Sequence, residues 1–188
     1  MKIYTKIGDK GETLLANGSR IKKSSLRIAS YGTVDELNAQ LALFRDLLIR
    51  HETDHKFRNF LIDSVFRIQN QLFSIGSELA LTNSKHLSHL IDAKDHALLE
   101  QEIDTMWAQL PPLKNFILPG GHITNSQAHV CRAVCRRSER VLCELIDHEE
   151  VRADLLVYFN RLSDWLFAAS RICNSIFHAE EVIWKGIP

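Results

Sequence analysis

Proline is nearly missing from this chain. Its four prolines are Pro111, Pro112, Pro119 and Pro188, so residues 1–110 and 120–187 contain none. Glycine is almost as confined. Gly8, Gly11 and Gly18 crowd the start, Gly120 and Gly121 follow Pro119, and only Gly32 and Gly76 interrupt the long stretches between. Runs this poor in the two strongest breakers favour long helices. Cysteine is scarce too: Cys131, Cys135, Cys143 and Cys173 all lie within helical patterns in the second half. That spacing excludes a secreted disulfide scaffold and suits a reducing cytoplasm. Neither charge is in excess, with 23 Lys+Arg against 23 Asp+Glu, which argues against a dedicated nucleic-acid binder. No run reaches ~18 uninterrupted apolar residues, so no membrane-spanning helix is expected. The opening Met-Lys-Ile-Tyr-Thr-Lys has no apolar core of a signal peptide.

What is present is ordinary globular material, 45% apolar and 24% charged. At 188 residues one domain is expected, burying roughly 70% of the unfolded chain's surface without help from disulfides. Apolar residues at three- and four-residue steps mark the helices. Val34, Leu37, Leu41, Phe44 and Leu48 define one from Ser25 to about Arg50, and Leu61, Val65, Ile68 and Leu72 a second from Phe57 to Leu81. A weaker third runs from about Ala93 to Leu110, where Pro111-Pro112 must stop it. The fourth spans about Thr124–Ile146 and the fifth about Ala153–Phe177. The expected fold is all-α, a five-helix bundle over residues 25–178, with a glycine-rich arm at 1–24 and a tail at 179–188. Strand signals are confined to short pieces such as Lys2–Lys6.

Several features exceed the needs of a plain bundle. On the fourth helix Val130, Val134, Val141 and Leu145 share a face, with Cys131, Ser138 and Leu142 beside it. Arg132, Arg136 and Arg140 stack opposite at i, i+4, i+8. Like charges so spaced destabilise an isolated helix by a few tenths of a kcal/mol per pair. Glu139 and Glu144 can relieve Arg136 and Arg140, but Arg132 has no acidic i±4 neighbour, so negative charge from outside the helix is expected. Arginine at all three places suits carboxylate or phosphate, and a solvated cationic face is the bland alternative. Arg137 sits at the edge of the apolar face and could serve either role.

The arm segment Thr5-Lys6-Ile7-Gly8-Asp9-Lys10-Gly11-Glu12-Thr13 is too polar and glycine-rich to pack as a strand or helix. Its glycines allow N–H groups to converge on an anion, and lysines follow; a flexible tail is the bland alternative. In Tyr31-Gly32-Thr33-Val34-Asp35, the Asp35 carboxylate points roughly 150° from the apolar face, either simply solvated or a partner for an unpaired arginine on the same chain or a neighbouring one. Asn160 and Asp164 share a stripe on the fifth helix, where neither is a good helix former. Phe116-Ile117-Leu118-Pro119-Gly120-Gly121 is an apolar segment ended by a turn, either a cap on the bundle or a wall for a large ligand. His129, Cys131 and Cys135 invite a metal reading, but Cys-x₃-Cys lacks a second ligand pair, and the cysteines read as core. No Glu-x-x-His pair occurs on two helices, against a carboxylate-bridged oxidase.

Taken in order, TKIGDKGET, YGTVDELNA, FILPGG, CRAVCRRSER and FNRLSDWLF resemble the PduO-type ATP:cob(I)alamin adenosyltransferases, from residue 4 to about 174. Departures are small: Ser138 for alanine, Phe159 for tyrosine, and no Asn-Pro within 150–153. The resemblance implies a ferritin-like five-helix bundle, assembled as a homotrimer with active sites between subunits. It implies ATP under the arm (Thr5, Lys6, Ile7, Gly8, Thr13, Leu14, Lys23), completed by Arg136, Arg137, Ser138, Glu139, Arg140 and Asn160. It further implies an Asp35–Arg132 pair across the subunit boundary, Mg²⁺ with the nucleotide, and Phe116 displacing the lower ligand of a corrinoid's cobalt. The implied reaction moves the 5′-deoxyadenosyl group of ATP to cob(I)alamin, with a reductase and an adenosylcobalamin-dependent acceptor enzyme as possible partners. No protein ligand set for a resident metal is implied. A non-catalytic ATP or cobalamin sensor, or a cofactor carrier, is the alternative.

Overall fold

The computed structural model describes residue 4, residues 6–81 and residues 91–186. Five helices dominate it: α1 (Leu26–Arg50), α2 (Lys56–Leu79), α3 (Ala93–Trp107), α4 (Ile123–Ile146) and α5 (Asp154–Ile176). Each begins within two residues of its expected start. Two end early, α2 at Leu79 and α3 at Trp107. In α3 the turn 108–110 intervenes before Pro111, which disfavours helical geometry in the residue preceding it.

The stripes explain the packing. In α1 the buried residues are Arg27, Ser30, Val34, Leu37, Leu41, Phe44 and Leu48, an unbroken alternation of three- and four-residue steps. That seam lies between α2 and α4, α5 packs on α4 and α3, and α2 closes against α5. The α5 helix is the most enclosed, with every residue from Ala168 to Asn174 out of solvent. On α4 the buried stripe runs through Ala128, Cys131, Val134, Cys135, Ser138, Leu142 and Leu145. Val130, expected on that face, is 43% exposed. The apolar face is rotated toward Cys131 and Cys135, which are the core residues their pattern indicated.

Helix α3 buries only Leu99, Glu102 and Met106, so a polar network supplements its packing. The Glu102 carboxylate accepts from Ser64 Oγ (3.0 Å), Arg67 Nη2 (2.7 Å) and Trp165 Nε1 (2.7 Å), tying α3 to α2 and α5. A buried carboxylate is tolerated when its oxygens are satisfied in this way.

Two small sheets flank the bundle. β1 (Glu12–Leu14) pairs antiparallel with β2 (Arg20–Lys22), register Thr13↔Ile21. β3 (Ile117–Leu118) pairs with β4 (Val182–Ile183), register Ile117↔Ile183. The arm is therefore more ordered than its composition suggested. A 3₁₀ turn over Ile7–Lys10 leads into the β1–β2 hairpin, whose backbone bonds offset the low strand propensity. Of the strand signal at Lys2–Lys6, Lys2, Ile3 and Thr5 lie outside the described residues.

At the foot of the arm Arg27, only 4% exposed, binds three partners. It donates to Glu149 Oε2 (2.6 Å) and to the carbonyls of Leu79 (2.9 Å) and Leu81 (3.1 Å). This joins the start of α1 to the ends of α2 and α4. Replacing Arg27 with Leu should lower unfolding free energy by about 2 kcal/mol, because buried acceptors lose their donor. Arg20→Ala, which removes an exposed 3.4 Å pair with Glu12, should stay within about 0.5 kcal/mol. Urea denaturation decides both, and equal effects would contradict this account.

Candidate functional site

The first group of candidate residues sits on the arm. Lys6 takes a left-handed conformation (φ 61°), the 3₁₀ turn follows, and Gly11 closes it with φ 78° and an N–H to the Gly8 carbonyl. The Lys23 N–H returns to the Gly11 carbonyl at 2.9 Å. A Cβ on Gly8 would lie 2.8 Å from Lys23 Nζ, so the glycine makes room for an ammonium above the turn. Thr13 and Leu14 face opposite sides of the hairpin, with Leu14 44% exposed. Thr5 falls outside the described residues, and Ile7 takes part through the backbone of the turn.

A second group lies on the outer faces of α4 and α5. Arg136 is exposed, and no carboxylate among the described residues pairs with its guanidinium. Arg140 Nη1 donates to the Arg136 carbonyl at 3.1 Å. Arg137, at the edge of the apolar face, forms an exposed ion pair with Glu36 of the neighbouring α1. Asn160 Nδ2 donates to Glu139 Oε1 (3.3 Å) and its Oδ1 accepts from Arg161 Nη1 (2.8 Å), linking α5 to the arginine row. Ser138 is 2% exposed, and its hydroxyl donates to the Val134 carbonyl at 3.1 Å, so the side chain lies beside the core stripe.

Arg132 is half-buried. It donates from Nε to His129 Nδ1 at 3.4 Å, and its guanidinium lies 5.9 Å from the centre of the Phe167 ring. Burial and the neighbouring Arg136 both pull its pKa down. It meets no carboxylate among the described residues, as its spacing foretold. Asp35 is exposed on α1 and lines a groove of about 300 Å³ between α1 and α2, with Tyr31, Asn38, Leu72, Phe73 and Gly76.

The third group is an apolar flap. Phe116 is 77% exposed; its carbonyl accepts from the Trp184 N–H at 2.9 Å and its ring meets the Trp184 ring edge-on at 6.0 Å. Leu118, Val182 and Ile183 are also exposed. Sequence reasoning assigned residues 179–188 to a tail and missed this half of the flap. The β-branched and aromatic run Val182-Ile183-Trp184 was the available signal.

No hydrogen bond or ion pair joins the arm residues Lys6, Gly8, Thr13, Leu14 and Lys23 to Arg136, Arg137, Glu139, Arg140 or Asn160 among the described residues. The candidate site is thus held as separate parts. Nor does the chain offer a ready thiolate in the core. Burial pushes Cys131 and Cys173 up to about 12 and Cys135 well above its usual value.

His129, 5% exposed, is held neutral because burial, then Arg132, lowers its pKa from 6.5 to about 4. The unfolded chain binds this proton near pH 6.5, so between there and about 4 it carries more protons than the folded one. Stability from this residue is complete above pH 6.5 and is lost on acidification toward 4, by up to about 3 kcal/mol. Urea midpoints measured across that window should fall more steeply for this chain than for His129→Gln. Parallel slopes would refute the assignment.

Comparison with known proteins follows these features closely. The family model for cobalamin adenosyltransferase matches residues 3–173. A corrinoid adenosyltransferase from Bacillus subtilis is 41% identical over 175 residues, covering 93% of this chain and 88% of that protein. A cobalamin adenosyltransferase from Cupriavidus metallidurans is 41% identical over 184 residues, covering 98% and 94%. Among solved structures, a phenylalanine-to-alanine variant of a PduO-type ATP:corrinoid adenosyltransferase from Lactobacillus reuteri, complexed with cobalamin and ATP, superposes with TM-score 0.89 at 34% identity, over 98% of this chain and all of that one. With nearly its whole length matched, the chain belongs to the cobalamin adenosyltransferase family.

Proposed function

We propose that this chain is an ATP:corrinoid adenosyltransferase, moving the 5′-deoxyadenosyl group of ATP to cob(I)alamin and releasing triphosphate. The observation that carries this reading is a set of unjoined parts, basic arm, arginine row and apolar flap, in a family member whose solved relative holds both cobalamin and ATP. Cobalt(I) attacks the ribose 5′ carbon. A cobalt–carbon bond forms as the bond to the phosphate oxygen breaks, and that electron pair leaves with triphosphate. The protein need provide no nucleophile, in keeping with thiols that burial keeps protonated.

What the chain supplies is charge and position. Arg136, Arg140 and Lys23 face the polyphosphate and stabilise charge as it gathers on the leaving group. Asn160 and Glu139 orient the nucleoside end. Arg137 joins by exchanging its exposed pairing with Glu36 for phosphate, a small loss because surface pairs contribute little. Thr5, Lys6, Ile7, Gly8, Thr13 and Leu14 enclose the nucleotide from the arm. Mg²⁺ is usually held by substrate phosphates with one or two carboxylates. Bound there, it would supply further charge neutralisation. Phe116 lies under the corrinoid and removes cobalt's lower ligand, which eases reduction of cobalt(II) beforehand.

A second copy completes the site. Arg132 lacks a carboxylate in its own chain among the described residues, Asp35 is exposed, and Phe73 in the adjoining groove is 74% exposed. An Asp35–Arg132 pair between copies can form head-to-tail, and the family resemblance favours closing that contact as a three-membered ring, a homotrimer. A reductase for cobalt(II) and an adenosylcobalamin-dependent acceptor are the partners this chemistry requires. The four free thiols favour the cytoplasm. We read the arm (1–24), bundle (25–178) and tail (179–188) as one domain, with the arm and the tail both serving the site.

The direct test supplies ATP, Mg²⁺ and chemically reduced cobalamin, then follows the visible spectrum. Adenosylcobalamin and triphosphate should form in equal amounts; tight binding of both substrates without product would select a sensor or carrier instead. Arg136→Ala should cut turnover by on the order of 10²-fold at saturating ATP, and near-normal turnover would remove it from the mechanism. Asp35→Asn should lower the mass seen by light scattering or reduce turnover through the damaged boundary. An intact trimer with unchanged kinetics would eliminate the proposed pair.

A further inference from the structure

The last two turns of α5 contain two polar side chains with no access to water. Arg171 is 1% exposed and Asn174 is 2% exposed, three residues apart on one face. Burying such groups is offset by hydrogen bonds, which here engage every side-chain nitrogen of the two except Arg171 Nη1. Arg171 donates to both Glu181 carboxylate oxygens (2.5 and 3.3 Å) and to the Pro111 carbonyl (2.9 Å). Asn174 accepts from the His122 N–H (3.1 Å) and donates to the carbonyls of Gly120 (3.0 Å) and Glu180 (3.5 Å). From α4, Asn125, 1% exposed, accepts from the Gly120 N–H (2.9 Å) and donates to the Ser170 carbonyl (2.8 Å).

These partners bracket the flap. Pro111 precedes β3 and Gly120–His122 follow it, while Glu180 and Glu181 immediately precede β4. The turn admits no side chain: Gly121 has φ +101°, and a Cβ there would lie 2.6 Å from Asn174 Nδ2 and 2.8 Å from the Glu180 carbonyl oxygen. Phe116, by contrast, projects outward from the β3–β4 pair. The height of its ring over the bundle is therefore fixed by what fastens the flap beneath it.

We propose that Asn174 and Arg171 are positioning residues for Phe116, clamping both strands of the flap so that the ring stands where it displaces cobalt's lower ligand. This rests on the role given to Phe116 above. Asn160, on the nucleotide half of α5, lies about four turns earlier, so the clamp acts on cobalt rather than on ATP. A displacement of about 1 Å at a reacting centre can cost on the order of 10²-fold.

The test compares Asn174→Ala and Gly121→Ala with Phe116→Ala, using ATP, Mg²⁺ and cobalamin. Four quantities are read: turnover from cob(II)alamin with a reductant, turnover from chemically generated cob(I)alamin, the electron paramagnetic resonance signal of cob(II)alamin that has lost its lower ligand, and the ATP Kd. Both clamp variants should follow Phe116→Ala. The signal should be lost and cobalt(II) turnover reduced by roughly 10- to 10²-fold, while the ATP Kd stays within about twofold. Cobalt(I) turnover should suffer less. If Phe116→Ala abolishes the signal but both clamp variants keep it, the clamp proposal falls and the Phe116 role stands. If Phe116→Ala itself keeps the signal, that role fails and the clamp with it. Proportional losses of ATP affinity and both turnovers would mark the clamp as merely structural. Should Asn174→Ala or Gly121→Ala not fold, Glu181→Gln, which weakens the Arg171 tie at a partly exposed side chain and should show the same losses, decides the matter.

Discussion

Helix α4 has to satisfy two opposed demands. Its outer face stacks Arg132, Arg136 and Arg140, whose mutual repulsion disfavours the helix by a few tenths of a kcal/mol per pair. Its inner face buries Ala128, Cys131, Cys135, Leu142 and Leu145 almost completely. A buried leucine contributes roughly 1.5–3 kcal/mol, so the inner face prevails by a wide margin. The bundle can thus display guanidinium groups, Arg132 and Arg136, that no carboxylate among the described residues matches. Every part of the functional reading depends on this surplus of packing over repulsion.

Buried polar groups serve organisation more than stability. Arg27 gathers three chain segments at the foot of the arm, Glu102 holds the thinly packed α3, and Arg171 with Asn174 fastens the flap. Each lies where the apolar stripe runs out or a loop must be anchored. Hydrophobic contact is non-directional and would leave such segments free to slide. Hydrogen bonds with definite geometry specify one arrangement instead.

A scaffold of this kind suits a reaction in which the substrate metal makes the bond. The nearby thiols are protonated, His129 is neutral, and the exposed cations stand apart from the core. Field and placement are what such a surface offers, and a nucleophilic metal on a large apolar ligand is what makes those two sufficient.

The helices were legible because one period produces both the stripe and the fold: Val34, Leu37, Leu41, Phe44 and Leu48 are apolar in sequence for the reason that they are buried in space. The isolation of Arg132 was legible too, since helical spacing alone fixes its neighbours. Rotation of the α4 face away from Val130 was less so, because one helix can be rolled by a small angle without changing its pattern. The Arg137–Glu36 pair, the docking of Val182–Ile183 on Ile117–Leu118, and the clamp of Asn125, Arg171 and Asn174 were not legible at all. These contacts join residues far apart in the chain, and no local period records them. Local chemistry thus determined which segments are helical and which side chains carry charge; only the folded packing decided which of those charges are spent on one another and which are left free for a ligand.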